Sequence, residues 1–262
     1  MQNVASNAYL LAQVARGALQ RDDVAGPIIA SWRAGELDGI CILGSNLVIS
    51  DPSSDAAIDS FAEYARRQGI PFWVAVGPDR TISRFLEGYG RGTRSIHLER
   101  GEQILYELSA EDLAAEHRSQ ELRRAELEDL EKLVSLDRRM VTEEIGFDPF
   151  TEVLQPYRQG WLRRIREARA WVIGPLGGPL TFKIDQSAVS EHVIQLAGIY
   201  TVPELRGQGL ASGATGEMCH ELLGSCPRIT LYVHRENTSA VRLYEGLGFK
   251  PLGEVRSVWF EV

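Results

Sequence analysis

A chain of 262 residues with 44% hydrophobic and 24% charged side chains has the composition of an ordinary globular protein, long enough for about two domains. Lys and Arg number 28 against 36 Asp and Glu, a formal charge of −8, which argues against a nucleic-acid partner because a phosphate backbone calls for a basic face. Cys41, Cys219 and Cys226 are odd in number and form no Cys-x-x-Cys pair; they argue against a disulfide framework or a zinc site, suit a reducing cytoplasm and read as small buried hydrophobes. Met1 to Asp23 has no basic n-region, and its apolar run is interrupted by Gln13, Arg16 and Gln20. The stretch reads as neither signal peptide nor membrane span, so the expectation is a cytoplasmic protein with no membrane partner.

Leu10, Leu11, Val14, Ala15 and Leu19 predict an opening helix over Asn7 to Gln20, which Gly26-Pro27 ends. Two apolar runs, Gly39 to Leu43 and Asn46 to Ile49, flank Gly44-Ser45 as in a hairpin. Ser50 to Asp55 then supplies turn and cap residues before a helix bearing Ile58, Phe61, Ala62 and Ala65. A strand over Phe72 to Val76, a short helix from Pro78 to Leu86, and two strands, Ser95 to Leu98 and Gln103 to Leu108, around Gly101 complete the first half. Asp51 and Asp55 precede its main helix; carboxylates there complement the helix dipole and repel a pyrophosphate, so this loop is not expected to bind one.

Ala110 to Gln120 reads as a polar linker. Glu121 to Ala125 suggests a short strand, and Leu127, Leu130, Leu133, Val134 and Val141 trace one helix face as far as the breakers Gly146 and Pro149. Trp161, Leu162, Ile165 and Ala168 mark a second helix. Trp171 to Ile173 and Leu180 to Ile184 read as adjacent strands, Val193 to Thr201 as the next, then a helix from Ala211 to Leu223, a strand over Ile229 to Val233 and a helix from Asn237 to Leu247 that stops at Gly248. Alternation over Phe249 to Val262 predicts a terminal hairpin. The order strand, strand, helix, strand, helix thus occurs in both halves and predicts an α+β fold.

Between the strand ending at Thr201 and the helix at Ala211 stands Arg206-Gly207-Gln208-Gly209-Leu210-Ala211. Its glycines let backbone N–H groups face outward at the positive end of a helix, which suits a phosphate chain; alone, the same residues also fit a plain strand-to-helix turn with Arg206 on the surface. The loop resembles the Arg/Gln-x-x-Gly-x-Gly/Ala motif of the GNAT superfamily of acyl-CoA-dependent N-acyltransferases, and Asn237 to Phe249 resembles that family's second hallmark. Thr142 to Gly146, the Phe182-Lys183 strand and the half placed before them are similar to a bacterial group of two-part GNATs whose N-terminal half is degenerate. The resemblance implies two GNAT-like domains, each a mixed, mostly antiparallel sheet flanked by helices: a non-catalytic one over 1–110 and a catalytic one over 121–262.

It further implies acetyl-CoA as co-substrate, with Arg206, Gly207, Gln208, Gly209, Leu210 and Ala211 on the pyrophosphate, Ile199, Tyr200 and Thr201 pairing with the pantetheine arm, and a backbone N–H near Ile199 as oxyanion donor. Asn237 matches a residue that contacts the cofactor arm and equally suits a helix N-cap. Tyr244 matches the tyrosine that gives a proton to the departing sulfur and equally suits an aromatic packed on the sheet. Glu191, His192, Glu143 and Glu144 are the candidates for the base, and each also suits a solvated surface. Phe147, Phe150, Tyr157 and Trp161 either wall an acceptor site or belong to the core. The expected function is transfer of an acetyl group from acetyl-CoA to a primary amine of a small molecule or protein, by direct attack on the thioester, in a monomer or homodimer without a metal. The alternatives are a catalytically inactive acyl-CoA-binding sensor and, further off, an interaction module.

Overall fold

The structure is a computed structural model that describes residues 3–19, 26–44, 46–70, 72–90, 95–114, 121–151 and 153–260. The first half runs α1 (Ala8–Leu19), β1 (Ile28–Arg33), β2 (Glu36–Leu43), β3 (Asn46–Ile49), α2 (Asp55–Gln68), β4 (Val74–Pro78), α3 (Asp79–Tyr89) and β5 (Ile96–Ser109). The second runs β6 (Arg123–Arg124), α4 (Leu130–Ile145), α5 (Leu154–Arg166), β7 (Ala170–Ile173), β8 (Phe182–Val189), β9 (Ile194–Thr201), α6 (Leu210–Leu223), β10 (Arg228–His234), α7 (Thr238–Leu247) and β11 (Lys250–Phe260).

Three strands, a crossover helix, a strand, a helix and a last strand occur twice, as β1 to β5 and as β7 to β11. In each half the third and fourth strands are parallel, β3 with β4 and β9 with β10, because a helix must carry the chain back; the other pairs are antiparallel. All strands join in one 11-stranded sheet of order β1-β2-β3-β4-β11-β5-β10-β9-β8-β7-β6. The last strands are exchanged: β4 pairs with β11 rather than β5, β10 pairs with β5 rather than β11, and β5 and β11 pair with each other along most of their length.

The cores record this exchange. Ile58, Phe61 and Ala62 of α2 and Ile82, Phe85 and Leu86 of α3 pack with Val258 and Phe260, which come from the end of the chain. Phe72 meets Phe260 edge-on at 5.0 Å between ring centroids. In the second half, the cluster under α6 and α7 takes in Tyr106 and Leu108 from β5. On the opposite face α4 and α5 bury Leu133, Trp161 and Ile165 against Val172 and Tyr200, and α1 packs across both halves, with Leu10 on Ile42 and Val48 and Leu11 on Val193.

Three sequence expectations change. The two strands around Gly101 are one 14-residue strand, β5, whose register against β11 shifts between Val255 and Ser257; Gly101 and Glu102 form a bulge within the strand instead of a turn that ends it. The expected terminal hairpin is the single strand β11, because the partner of its alternating face is β5 of the other half and not a neighbouring segment. A strand over Ile28–Arg33 went unpredicted: it is an edge strand with Trp32 66% exposed, so it lacks a clean apolar alternation. Ser45 and most of the expected linker, 115–120, lie outside the described residues. Among those described, no helix is long and apolar enough to cross a membrane.

Candidate active site

The parallel pairing of β9 with β10 lasts only from Ile194/Ile229 to Gln195/Thr230. Beyond it the strands diverge and open a cleft of about 660 Å³, lined by Leu196 to Thr201 of β9, Leu231 to Val233 of β10, the end of α4, the loop before α6 and one side of α7. The edge of β9 along the cleft therefore carries backbone groups without a strand partner. Thr201 adds a buried hydroxyl with no hydrogen-bond partner.

A bulge shapes that edge. Lys183 lies opposite Tyr200 while Asp185 lies opposite Ala197, so β9 holds one residue more than β8, and Gly198 sits there at φ 62°. The fully buried Lys183 ammonium donates to the Gly198 carbonyl at 2.8 Å and pairs with Asp137 at 2.5 Å. Because a trans peptide points its C=O and N–H in opposite directions, this bond turns the Ile199 N–H away from Lys183 and polarises it. A side chain at Gly198 has no room: a Cβ would lie 2.5 Å from both Lys183 Nζ and Asp185 Oδ1.

The charges behind the bulge are balanced. Asp137 also accepts hydrogen bonds from Tyr157 Oη and, at 3.2 Å, Trp161 Nε1, and Arg164 Nε stands 3.2 Å from Asp185. Burial pushes both carboxyls up; at Asp137 the adjacent ammonium outweighs it and the pKa falls below the ordinary value, whereas at Asp185 burial prevails. Tyr157 and Trp161 are thus engaged with Asp137, while Phe150 stacks on Tyr157 at 3.8 Å and Phe147 lies 3.7 Å from the His97 ring. This buried cluster was missed from sequence, although Lys183 and Asp185 alternating with Phe182 and Ile184 and a glycine inside the next strand were its signals.

Gly207 and Gly209 adopt φ 75° and 78° and have open space where a Cβ would stand, so the left-handed turn is what requires glycine. Gly209 caps α6 without a side-chain acceptor, and the first turn of α6 carries no acid, which leaves its N–H groups to an external anion. The matching helix α2 is closed by its own residues: Ser54 caps it, and Asp55 in its first turn pairs with Arg80 and Arg84. Arg206 lines the cleft and is also tied to its neighbours. Its Nη2 meets Glu143 at 2.8 Å, its Nε meets the Thr201 carbonyl at 3.0 Å, and its guanidinium lies 5.2 Å over the Tyr200 ring. Glu143 also accepts from Tyr200 Oη at 2.7 Å and Arg139 at 3.1 Å. Burial works to raise the Glu143 carboxyl, but these donors outweigh it and hold it below the ordinary value; burial and the same contact push Tyr200 up to about 12.

Of the remaining predicted residues, Asn237 lines the cleft and caps α7, accepting from Ala240 N at 3.2 Å, so its two readings are compatible. Tyr244 likewise lines the cleft while its ring packs near Tyr106 and Phe249; burial, then the Glu144 carboxylate and Cys219, raise its pKa. Glu144 is held at 3.1 Å by Arg100 of β5 and acts electrostatically on both Tyr244 and Tyr232, the latter pushed up to about 12 chiefly by burial. Gln208 is an exposed loop residue outside the lining. Glu191 is set apart: it lies in the turn before β9, 84% exposed beside His192, at the end where β9 and β10 are still paired. The structure therefore brings Glu144 and Tyr244 to one cleft and leaves Glu191 outside it. No cluster of His, Cys, Asp and Glu suited to a metal ion occurs among the described residues.

Residues 128–249 match the profile of the Acetyltransferase (GNAT) family. No curated protein matches the chain. Among solved structures, a GCN5-related N-acetyltransferase from Kribbella flavida is 15% identical, with 97% of this chain and 96% of that one covered at a TM-score of 0.56. A Drosophila protein is also 15% identical, covering 95% and 85% at 0.64. A tandem GNAT protein from the clavulanic acid biosynthesis pathway is 13% identical and covers 99% and 94% at 0.52. The donor that goes with a domain of this family is acetyl-CoA, and the uncapped amides of α6, the unpaired edge of β9 and the orphan Thr201 hydroxyl fit its phosphates and its amide-bearing arm. The chain has a two-part GNAT-like fold, and its second half carries an acyltransferase domain of the GNAT family.

Proposed function

We propose that the protein is a cytoplasmic N-acetyltransferase that moves the acetyl group of acetyl-CoA to a primary amine of a small molecule or protein, acting as a monomer or homodimer. Catalysis is assigned to residues 121–262, with 1–110 as a non-catalytic GNAT-like partner. The observation that carries this reading is the meeting, on one cleft, of an uncapped helix N-terminus, an unpaired strand edge and a bulge whose peptide is fixed by a buried ammonium. Gly207, Gln208, Gly209, Leu210 and Ala211 offer backbone N–H groups to the pyrophosphate, with Arg206 bracing the loop. Ile199, Tyr200 and Thr201 offer the backbone of β9 to the pantetheine amides, and Asn237 borders the arm.

Direct attack on the thioester needs a neutral amine, stabilised charge on the carbonyl oxygen and a proton for the leaving sulfur. The Ile199 N–H serves the second need. Glu144, beside Tyr232 and Tyr244, is the favoured base, and Glu191 is disfavoured by its exposure at the closed end of the strands. Tyr244 is assigned to the sulfur; its raised pKa keeps the phenol protonated at neutral pH as a hydrogen-bond donor to the developing thiolate, while opposing outright transfer of the proton.

Titration with acetyl-CoA followed by thiol-release assays over an amine panel tests the assignment. Gly209→Glu is expected to weaken acetyl-CoA binding at least about tenfold by placing a carboxylate among the phosphate-facing amides, and Tyr244→Phe is expected to lower kcat. Tight acetyl-CoA binding with no turnover on any amine identifies an acyl-CoA sensor instead. A second coenzyme bound between Ser50 and Asp55 would overturn the non-catalytic role of the first half.

A further inference from the structure

A second cavity, of about 470 Å³, lies on the sheet face that carries α1 and α5, and both halves of the chain build its walls. We propose that it is the acceptor pocket and that its ligand is a small amine bearing an anionic group, a carboxylate or a phosphate. This rests on the acetyl-transfer reading of the adjoining cleft.

Position is the first argument. Tyr232 lines both the cavity and the cleft, at the level where β9 and β10 have already separated, so the two spaces share a wall at the gap in the sheet. Tyr9 lines the cavity and Glu144 the cleft, and, after burial, the charge of each raises the pKa of the Tyr232 they share as a wall. An amine seated in the cavity thus approaches the cleft past Tyr232 and Glu144.

Charge supplies the second. Arg163, Arg164 and Arg169 line the cavity, and among the described residues no carboxylate does. Arg164 and Arg169 engage Asp185 and Glu167, at 3.2 Å and 2.5 Å, from outside the lining, so the ionised groups of the described lining are guanidiniums, whose forks match carboxylate and phosphate oxygens.

The third is an unmet need. Gln13 on α1 is 5% exposed and lines the cavity, yet its side-chain carbonyl has no hydrogen-bond partner among the described residues. A buried acceptor without a donor is costly, and an amine or ammonium N–H supplies one. The volume falls within the range of small-ligand sites. Because Tyr9 and Gln13 belong to α1, the pocket gives the first half a part in acceptor recognition.

Two matched pairs test this in the full chain: lysine against cadaverine, and phosphoethanolamine against ethanolamine, each followed by thiol release and, without acetyl-CoA, by calorimetric binding. In at least one pair the anionic member is expected to have a kcat/KM about tenfold higher, as for one charge-assisted contact; the pair that shows it identifies the anion. Arg163→Gln should raise KM for that amine by a similar factor and leave KM for acetyl-CoA unchanged, with Arg163→Lys intermediate. Gln13→Leu should also raise the amine KM. Turnover with equal or better use of cadaverine and ethanolamine, the members that lack the anion, and no effect of either variant, overturns the pocket while the transferase stands. Binding of an anionic amine that Arg163→Gln abolishes, with no turnover, supports the pocket and overturns the transferase. Neither binding nor turnover overturns both.

Discussion

At the scale of single residues, the site depends on a charge that never meets solvent. Lys183 is wholly buried, holds the Gly198 carbonyl and faces Asp137. Replacing it by Met is expected to cost about 3 kcal/mol of stability, because Asp137 is left buried without its cation, and to lower kcat about 10- to 100-fold as the Ile199 N–H loses its fixed orientation. Combining Lys183→Met with Asp137→Asn separates the effects: denaturant unfolding should recover, whereas kcat should stay low and KM for acetyl-CoA should change little. Recovery of rate in the double variant would reduce Lys183 to a structural partner of Asp137. Glu143 is the second such residue. Its folded pKa is depressed, so the brace it gives Arg206 is complete above the ordinary value of about 4.3 and is lost as pH falls through the depressed one. Glu143→Gln is therefore expected to weaken acetyl-CoA binding at neutral pH, with the difference from the parent protein closing in acid. A difference that persists unchanged however far the pH falls within the folded range would show that the charge of Glu143 is not what holds the loop. A cation before two glycines resembles a phosphate-binding motif. That Glu143, 63 residues upstream, lies against this cation was not legible, since a local motif carries no information on long-range contacts.

At the scale of elements, helices were the most legible because period and punctuation agree. α2 starts at its Ser54 cap, α4 ends at the left-handed Gly146, and α7 lies between its caps Asn237 and Gly248. Strands were readable where β-branched and aromatic residues run together, as from Ile229 to Val233 in β10, and the reading failed at Gly101, where a glycine has a different function from the one it signals locally. Gly101 marks a bulge in β5, and Gly198 marks the bulge of β9. The two glycine classes of the site predict different costs. Gly207→Ala meets open space and should cost only the left-handed strain, roughly 1 kcal/mol. Gly198→Ala adds a clash with Lys183 and Asp185 to the same strain and should cost well over 2 kcal/mol. Urea unfolding of both variants measures the difference; equal costs would mean that the charges behind Gly198 yield easily.

At the scale of the whole molecule, the exchanged strands decide whether the halves can exist apart. The family match covers 128–249, yet β10 is completed by β5 from the first half, and β11 lies between β5 and β4. A chain cut to 121–262 leaves Arg228–His234 with a bare edge and withdraws Tyr106 and Leu108 from the core under α6 and α7. Unpaired edges of this kind associate. One escape is open to the fragment: β11 can fold back onto β10 in the place that β5 holds. That strand is shaped for other neighbours, however, with register shifts at Pro251/Gly253 and Val255/Ser257 set by β5 and with Val258 and Phe260 buried in the first half's core. We expect 121–262 produced alone to aggregate and to bind no acetyl-CoA, co-production with 1–120 to restore a soluble complex, and the intact chain to unfold in one transition whether followed by circular dichroism or by tryptophan fluorescence. A soluble, acetyl-CoA-binding 121–262 would show that β11 can replace β5, and that the exchange joins two independently stable units.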